Sequence, residues 1–284
     1  MRFVSWFRVG RLQGSTLPPG RTSAWAMRGT AAQTLAFVIL LGALGWLVFI
    51  GAAAMPYRWQ WARVIPYLYK TFDGQFYAGP LIRGLGVTLW ISALGFVVTL
   101  AAGLGAAILG LAPSIVGRGI ARAYVELIRN TPLLVQLYLF YFVLAPIIGI
   151  GREATGILAL GLFEGAFAAE IIRAGIAAVP QGQWEAAQSL GLHPGAVFRH
   201  VVLPQAFRIV LPPLTSLSIS LVKHSAIVSA IAIFDLTNEA RGIIADTFLT
   251  FEIWLTVAAI YLVVTITMSW LATLLERRMA IGRN

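Results

Sequence analysis

Of 284 residues, 59% are hydrophobic and only 11% are charged, against about 25% charged in a soluble domain, which leaves no room for a soluble catalytic domain. The formal net charge of +10 invites a nucleic-acid reading, but the basic residues are distributed around the apolar runs as a topology signal, and that reading is set aside. There is no cysteine, hence no disulfide framework and no thiolate metal site; the three histidines, His193, His200 and His224, lack ligand-like spacing and read as polar helix residues.

In chain order, residues 1–30, with their Pro18-Pro19 pair, read as a flexible leader. Apolar runs close to the ~20 residues that cross a bilayer then recur at 31–54, 81–112, 132–150, 155–176, 209–233 and 253–275. The expected fold is therefore all-α, a polytopic transmembrane helical bundle of about six spans. Run 31–54, ending in Ala52-Ala53-Ala54, imitates a signal peptide. It is longer than a signal core of about 7–15 residues and follows a leader of about 30, which favours a retained additional span. The segment 55–80 is rich in aromatics, among them Trp59, Trp61, Tyr67, Phe72 and Tyr77. Such residues suit the headgroup zone, and a partner-docking surface is the other reading. Small residues recur four apart at Ala101, Gly105, Ala106 and Gly110, and at Gly161, Gly165 and Ala169, where they let helix backbones approach closely.

Between the fourth and fifth runs the chain turns polar. Residues Trp184 to Leu190 are good helix formers, Gly191 suits a left-handed helix end, and Pro194 suits a first helical turn. Val197, Phe198, Val201 and Val202 then form one apolar stripe, and Pro204 is expected to stop that second helix. Small Ala186 and Ala187 would admit a partner surface and Glu185 would offer it an acceptor. The residue pattern alone leaves a loop lying on the membrane equally open.

Charge fixes an expected topology. Thirteen basic residues (Arg2, Arg8, Arg11, Arg21, Arg28, Arg118, Arg122, Arg173, Arg199, Arg208, Arg277, Arg278 and Arg283) fall on the side of the two termini and the polar loop; six (Arg58, Arg63, Lys70, Arg83, Arg152 and Arg241) fall opposite. The positive-inside bias puts both termini and the loop in the cytoplasm, including the tail 279–284.

Glu185-Ala186-Ala187, then Gly191 after three residues, then nine residues before Val201-Val202-Leu203-Pro204, resembles the EAA loop of membrane subunits of ATP-binding-cassette importers. Valine replaces the usual isoleucine at 201. Arg129 to Leu137, Ala169 to Ile176 and Leu203 to Leu214 look like segments of the polar amino-acid branch. His224-Ser225-Ala226 departs from the small polar run expected after Lys223. The resemblance implies a type I importer permease core at 81–278, with the EAA coupling loop at 183–204. It implies coupling through Glu185, Ala186, Ala187, Gly191, Leu203 and Pro204 to a cytoplasmic ATPase dimer. It also implies a second permease subunit, identical or sister, a periplasmic amino-acid-binding protein, and the bacterial inner membrane as location. No phosphate-binding G-x-x-x-x-G-K-[ST] motif is present, so this chain is expected to be non-catalytic and to bind no cofactor, with ATP and Mg²⁺ on the partner.

Ionisable groups in or beside spans cost about 2.5–3.5 kcal/mol or more at a helix centre and so point to a pathway. They are Glu126, Arg129, Glu164, Glu170, Arg173 and Lys223. Glu126/Arg129 and Glu170/Arg173 are spaced to pair along their own helices, while Glu164 and Lys223 could pair across helices. Three acidic and three basic groups make a neutral set that suits a zwitterionic solute. A secondary transporter or channel for a small polar solute is the alternative; it needs no polar double turn and tends to carry inverted repeats, of which the sequence has none.

Overall fold

The computed structural model describes residues 23–55 and 57–280; most of the leader and residues 281–284 of the tail lie outside them. Two compact units divide between Trp59 and Gln60. The first is the helix α1, Ser23–Ala54. It is apolar around its whole circumference, with Leu35, Phe37, Leu41, Trp46 and Phe49 all exposed, as befits a helix whose surroundings are lipid.

The second unit opens on a one-turn helix, Ile65–Leu68, and a hairpin of β1, Tyr69–Phe72, and β2, Gln75–Ala78. The hairpin pairs Tyr69 with Ala78 and Phe72 with Gln75; its turn uses Asp73 and Gly74 at φ +51° and +73°. It is the one departure from an all-helical pattern among the described residues. Helices follow at Pro80–Leu111 (α2), Ile115–Arg129 (α3), Leu133–Ile148 (α4) and Arg152–Ala177 (α5). After the elbow helix Gln181–Ser189 (α6) come Pro194–Ile231 (α7), Leu236–Thr247 (α8) and Thr250–Ala280 (α9). With α1, the helices α2, α5, α7 and α9 are long and apolar enough to span a membrane, and α3 with α4 form a pair bent by 110°. Six spans result when the bent pair counts as one.

The bend has local causes. Thr131 precedes Pro132, whose ring disfavours helical backbone before it, so α3 stops at Arg129. The side-chain Nε2 of Gln136 then donates to the Ile128 carbonyl at 2.8 Å and the Thr131 hydroxyl at 2.6 Å, closing the corner. Pro146 in α4 and Pro204 in α7 are accommodated by wider turns. A π-helical stretch, Phe140–Leu144, precedes Pro146, and another, Phe198–Val202, precedes Pro204. In each the next amide reaches back five residues, Ala145 to Phe140 and Leu203 to Phe198. Pro204 therefore does not end the second helix of the polar loop, contrary to expectation. The π turn absorbs the missing N–H, and the chain runs on as one helix to Ile231.

α2 and α5 pack closest. A Cβ on Gly161 would lie 2.5 Å from the Val98 Cβ, one on Gly165 2.8 Å from the Ala102 Cβ, and one on Gly103 2.6 Å from the Ala168 Cβ. Thr99 adds a hydroxyl bond to the Gly161 carbonyl at 3.2 Å. The small face of α5 is the expected one. On α2 the contact runs instead through Gly95, Val98, Ala102 and Gly103, while Ala101 is exposed and Gly105 has nothing near it.

One core cluster joins Ile91, Leu137, Leu160, Leu221 and Ile233. A second joins Val64, Leu81, Leu236, Leu249 and Ile253 at the end carrying the hairpin. There Asp235 caps α8, accepting from the Asn238 and Thr237 amides at 3.0 and 3.3 Å. Burial pushes its carboxyl up to about 6, against the pull of those amides.

Candidate functional site

Two regions carry the residues singled out above. The first is the elbow between α5 and α7. α6 closes with a Schellman arrangement: Leu192 N–H donates to the Ala187 carbonyl at 3.3 Å and Gly191 N–H to the Gln188 carbonyl at 2.9 Å. Gly191 takes φ +78°, the left-handed conformation that this ending requires. His193 then caps α7, its Nδ1 accepting from the Ala196 amide at 3.3 Å, and Pro194 occupies the first turn. The elbow is held by a small core of its own, in which Val179, Ala187, Val197, Val202 and Ala206 are buried and Trp184 lies near Phe198. Contrary to the expectation that Ala187 admits a partner surface, it is buried; its methyl faces inward because the second helix folds back over it. Glu185, Ala186, Gly191, Leu203 and Pro204 remain exposed, and Leu190, at 82%, is the most exposed apolar side chain of the elbow.

The second region is a charged strip along α5. Glu170 and Arg173 pair as expected, Arg173 donating from Nε and Nη2 at 3.0 and 2.9 Å. Glu126 does not pair with Arg129. Its neighbour is Arg122, one turn earlier at 4.0 Å, while Arg129 turns toward Glu170 on α5 at 3.8 Å. Arg129 also stacks on Phe167, 5.3 Å from the ring centroid, and that aromatic contact draws it away from its own helix. These groups line a cleft of about 500 Å³ between α2, α3 and α5. Arg118, Arg122, Arg129 and Arg173 face only Glu126 and Glu170 there, over a floor of Ala106, Gly110, Ala121 and Ala169.

Nor does Glu164 pair with Lys223. Its carboxylate, 2% exposed, meets His224 Nδ1 at 2.5 Å, and Lys223 is exposed, with no ion pair among the described residues. Adjacent residues on a helix point about 100° apart, so only one of the two can turn to α5, and it is His224. Phe163 packs edge-on against the His224 ring and tilts against Phe167 at 5.3 Å. A continuous line of contacts thus runs from His224 through Phe163 and Phe167 to Arg129, Glu170 and Arg173. Reading the sequence missed His224, Arg118, Arg122 and the two phenylalanines. An ionisable side chain inside the apolar run 209–233 was the available signal for His224. The two arginines looked like topology charges alone. Among the described residues no group of His, Asp and Glu is arranged to hold a metal ion.

Residues 100–281 match the family described as binding-protein-dependent transport system inner membrane component. The glutamine transport system permease protein GlnP of Escherichia coli is 35% identical over 204 residues, covering 71% of this chain and 93% of its own length. The glutamate/aspartate import permease protein GltJ of the same organism is 30% identical over 244 residues, covering 81% and 98%. Among solved structures, an amino acid ABC transporter crystallised with histidines superposes with a TM-score of 0.71 at 38% identity, covering 78% of this chain and all of that one.

Proposed function

The chain belongs to the inner-membrane components of binding-protein-dependent transport systems, and on that footing we propose that it forms the membrane pathway for polar amino acids in an ATP-driven importer. It is a multi-pass membrane permease subunit whose system includes an ATPase and a substrate-binding protein. The observation that carries the finer reading is the elbow. A helix, a left-handed glycine and a second helix are braced by their own core, and their polar faces and Leu190 stay open. A rigid lever of this kind suits transmission of movement from a soluble machine to α5 and α7, the spans it joins.

In this reading Glu185, Ala186, Gly191, Leu203 and Pro204 belong to the coupling surface, and Ala187 braces it from within. The ATPase is a dimer that carries ATP and Mg²⁺, and this chain binds no cofactor. A second permease subunit, identical or sister, completes the pathway. The elbow, the tail after α9 and the leader are cytoplasmic, supported by the asymmetry of basic residues. A periplasmic binding protein delivers the amino acid on the opposite side. Glu126, Arg129, Glu164, Glu170, Arg173 and Lys223 are pathway groups, the first five lying in the cleft or along the strip, and Lys223 beside His224.

Purification of the tagged chain from its native membrane tests this. A co-purifying ATPase subunit, released when Glu185→Lys reverses the charge on the exposed face of α6, is the expected result. A stable preparation of this chain alone, or an ATPase that stays bound in Glu185→Lys and Gly191→Val alike, contradicts it.

A further inference from the structure

The importer reading leaves the side-chain charge of the transported amino acid open, and the arrangement around His224 bears on it. Resting on that reading, we propose that the α5 strip selects amino acids bearing a side-chain carboxylate, with His224 as a specificity-determining contact near the middle of the span.

Three observations carry this. First, the carboxylates of α5 on the strip, Glu164 and Glu170, are already engaged. Glu164 is buried against His224, Glu170 is held by Arg173 and approached by Arg129, and Glu126 sits beside Arg122. A cationic substrate needs an exposed acidic group without a partner, and the carboxylates nearest its path, Glu164 and Glu170, both have one; Glu126 is exposed but stands beside Arg122 at 4.0 Å. Second, four arginines face two glutamates in the cleft, so the cleft end of the strip is cationic and attracts an anion. Third, the His224 ring is oriented by its partner. Nδ1 is committed to Glu164 and 44% of the side chain stays exposed, so Nε2 is the ring nitrogen left for a ligand. The imidazolium form donates from both nitrogens, and a ligand carboxylate at Nε2 with Glu164 at Nδ1 is the pair of acceptors that form requires. A carboxylate that orients a histidine by its other nitrogen is a recurrent way of fixing which ring atom meets a ligand.

The distances fit successive contacts rather than one. Residues 163 to 173 of α5 span roughly 15 Å at the helical rise per residue, too far for one amino acid to touch both ends. The substrate carboxylate thus meets His224 first and the arginines of the cleft second, with Phe163 and Phe167 walling the stretch between and providing no competing charge.

The experiment is equilibrium binding to the co-purified membrane complex in lipid nanodiscs, without the substrate-binding protein, whose own selectivity would otherwise dominate. The probes are labelled glutamate, glutamine and arginine. Glutamate is expected to bind at least about tenfold more tightly than arginine, with glutamine between. His224→Gln, which removes the ring but keeps a polar side chain, should weaken glutamate binding about ten- to a hundredfold, the range for a hydrogen bond to a charged group. It should change glutamine binding far less. His224→Asn, which keeps an amide near the Nδ1 position to satisfy Glu164, separates loss of the contact from loss of the fold and should show the same loss for glutamate. Equal or tighter binding of arginine, binding of none of the three, or a glutamate preference that survives both variants overturns the proposal. ATP-driven uptake by the same complex decides the importer reading independently, so the two can fail separately.

Discussion

In the elbow, five apolar side chains are buried and every charged one is exposed. Along α5 a carboxylate is buried at Glu164, while phenylalanines and arginines share the open face. The elbow is organised as a small soluble protein is, with a hydrophobic interior and a polar surface that water or a soluble partner can meet. The strip inverts this, because the bilayer solvates neither charge nor backbone. Each of its buried charges needs a specific partner, whereas the elbow's charges need none. The elbow should therefore be sensitive to backbone geometry and tolerant of charge loss, and the buried part of the strip should be the reverse.

The largest expected effect breaks the buried pair. His224→Leu leaves the buried Glu164 carboxyl without a partner, a loss of about 3 kcal/mol for an orphaned buried polar group. Thermal unfolding of the detergent-solubilised complex should shift down sharply. His224→Leu combined with Glu164→Met should recover most of that stability, since an apolar replacement removes the desolvation cost along with the attraction. Tolerance of His224→Leu alone would show that the pair does not carry the charge of Glu164.

Asp235 sharpens the contrast, being a buried carboxylate served by backbone amides rather than by an ionic partner. Its carboxyl is raised by burial to about 6 from an ordinary 3.8, so the folded state holds the proton more tightly than the unfolded one. The contribution of Asp235 to stability is greatest below about pH 4 and falls, on the order of 2–3 kcal/mol, as pH rises toward 6, then stays flat. Asp235→Asn should remove that part of the slope, and unfolding midpoints measured across the range check it.

In the elbow, Gly191→Val forces a β-branched residue into the left-handed region at a cost of about 1–2 kcal/mol. Space for the added side chain exists, so the strain is conformational. Membrane levels should stay near normal while co-purification of the ATPase drops. The smallest stability effect is expected at the exposed pair. Glu170→Gln with Arg173→Gln should cost under about 1 kcal/mol, because both side chains are partly exposed, yet uptake should fall if the cleft carries substrate. Full uptake by that double variant would remove Glu170 and Arg173 from the pathway.

What could be read from sequence follows the same division. Five of the six spans, the glycine turn and the start of α7 at Pro194 depend on neighbours a few residues away, and their residue types specify them; the run 132–150 qualifies only together with α3, across a 110° bend. Ala187 was misdirected because its environment is built by Val179, Val197, Val202 and Ala206, whose convergence depends on the angle that Gly191 sets. Pro204 was misread because the rule that proline ends a helix assumes α-helical spacing, and the π turn before it relaxes that rule. On the strip, spacing along one helix correctly paired Glu170 with Arg173. It failed for Glu126 and Glu164, where the competing partners are Arg122 one turn back and His224 sixty residues on. Contacts across helices leave no periodic trace in a single sequence.

The central claim is that the elbow couples this permease to a separate ATPase, and ATP-dependent uptake tests it most directly. Proteoliposomes holding the complete co-purified complex, with binding protein and labelled amino acid on the side opposite the elbow, should accumulate the amino acid only when ATP is supplied on the elbow side. Gly191→Val should abolish that accumulation while the spans stay inserted. Uptake that proceeds without the ATPase, driven by an ion gradient, and survives Gly191→Val would contradict the account.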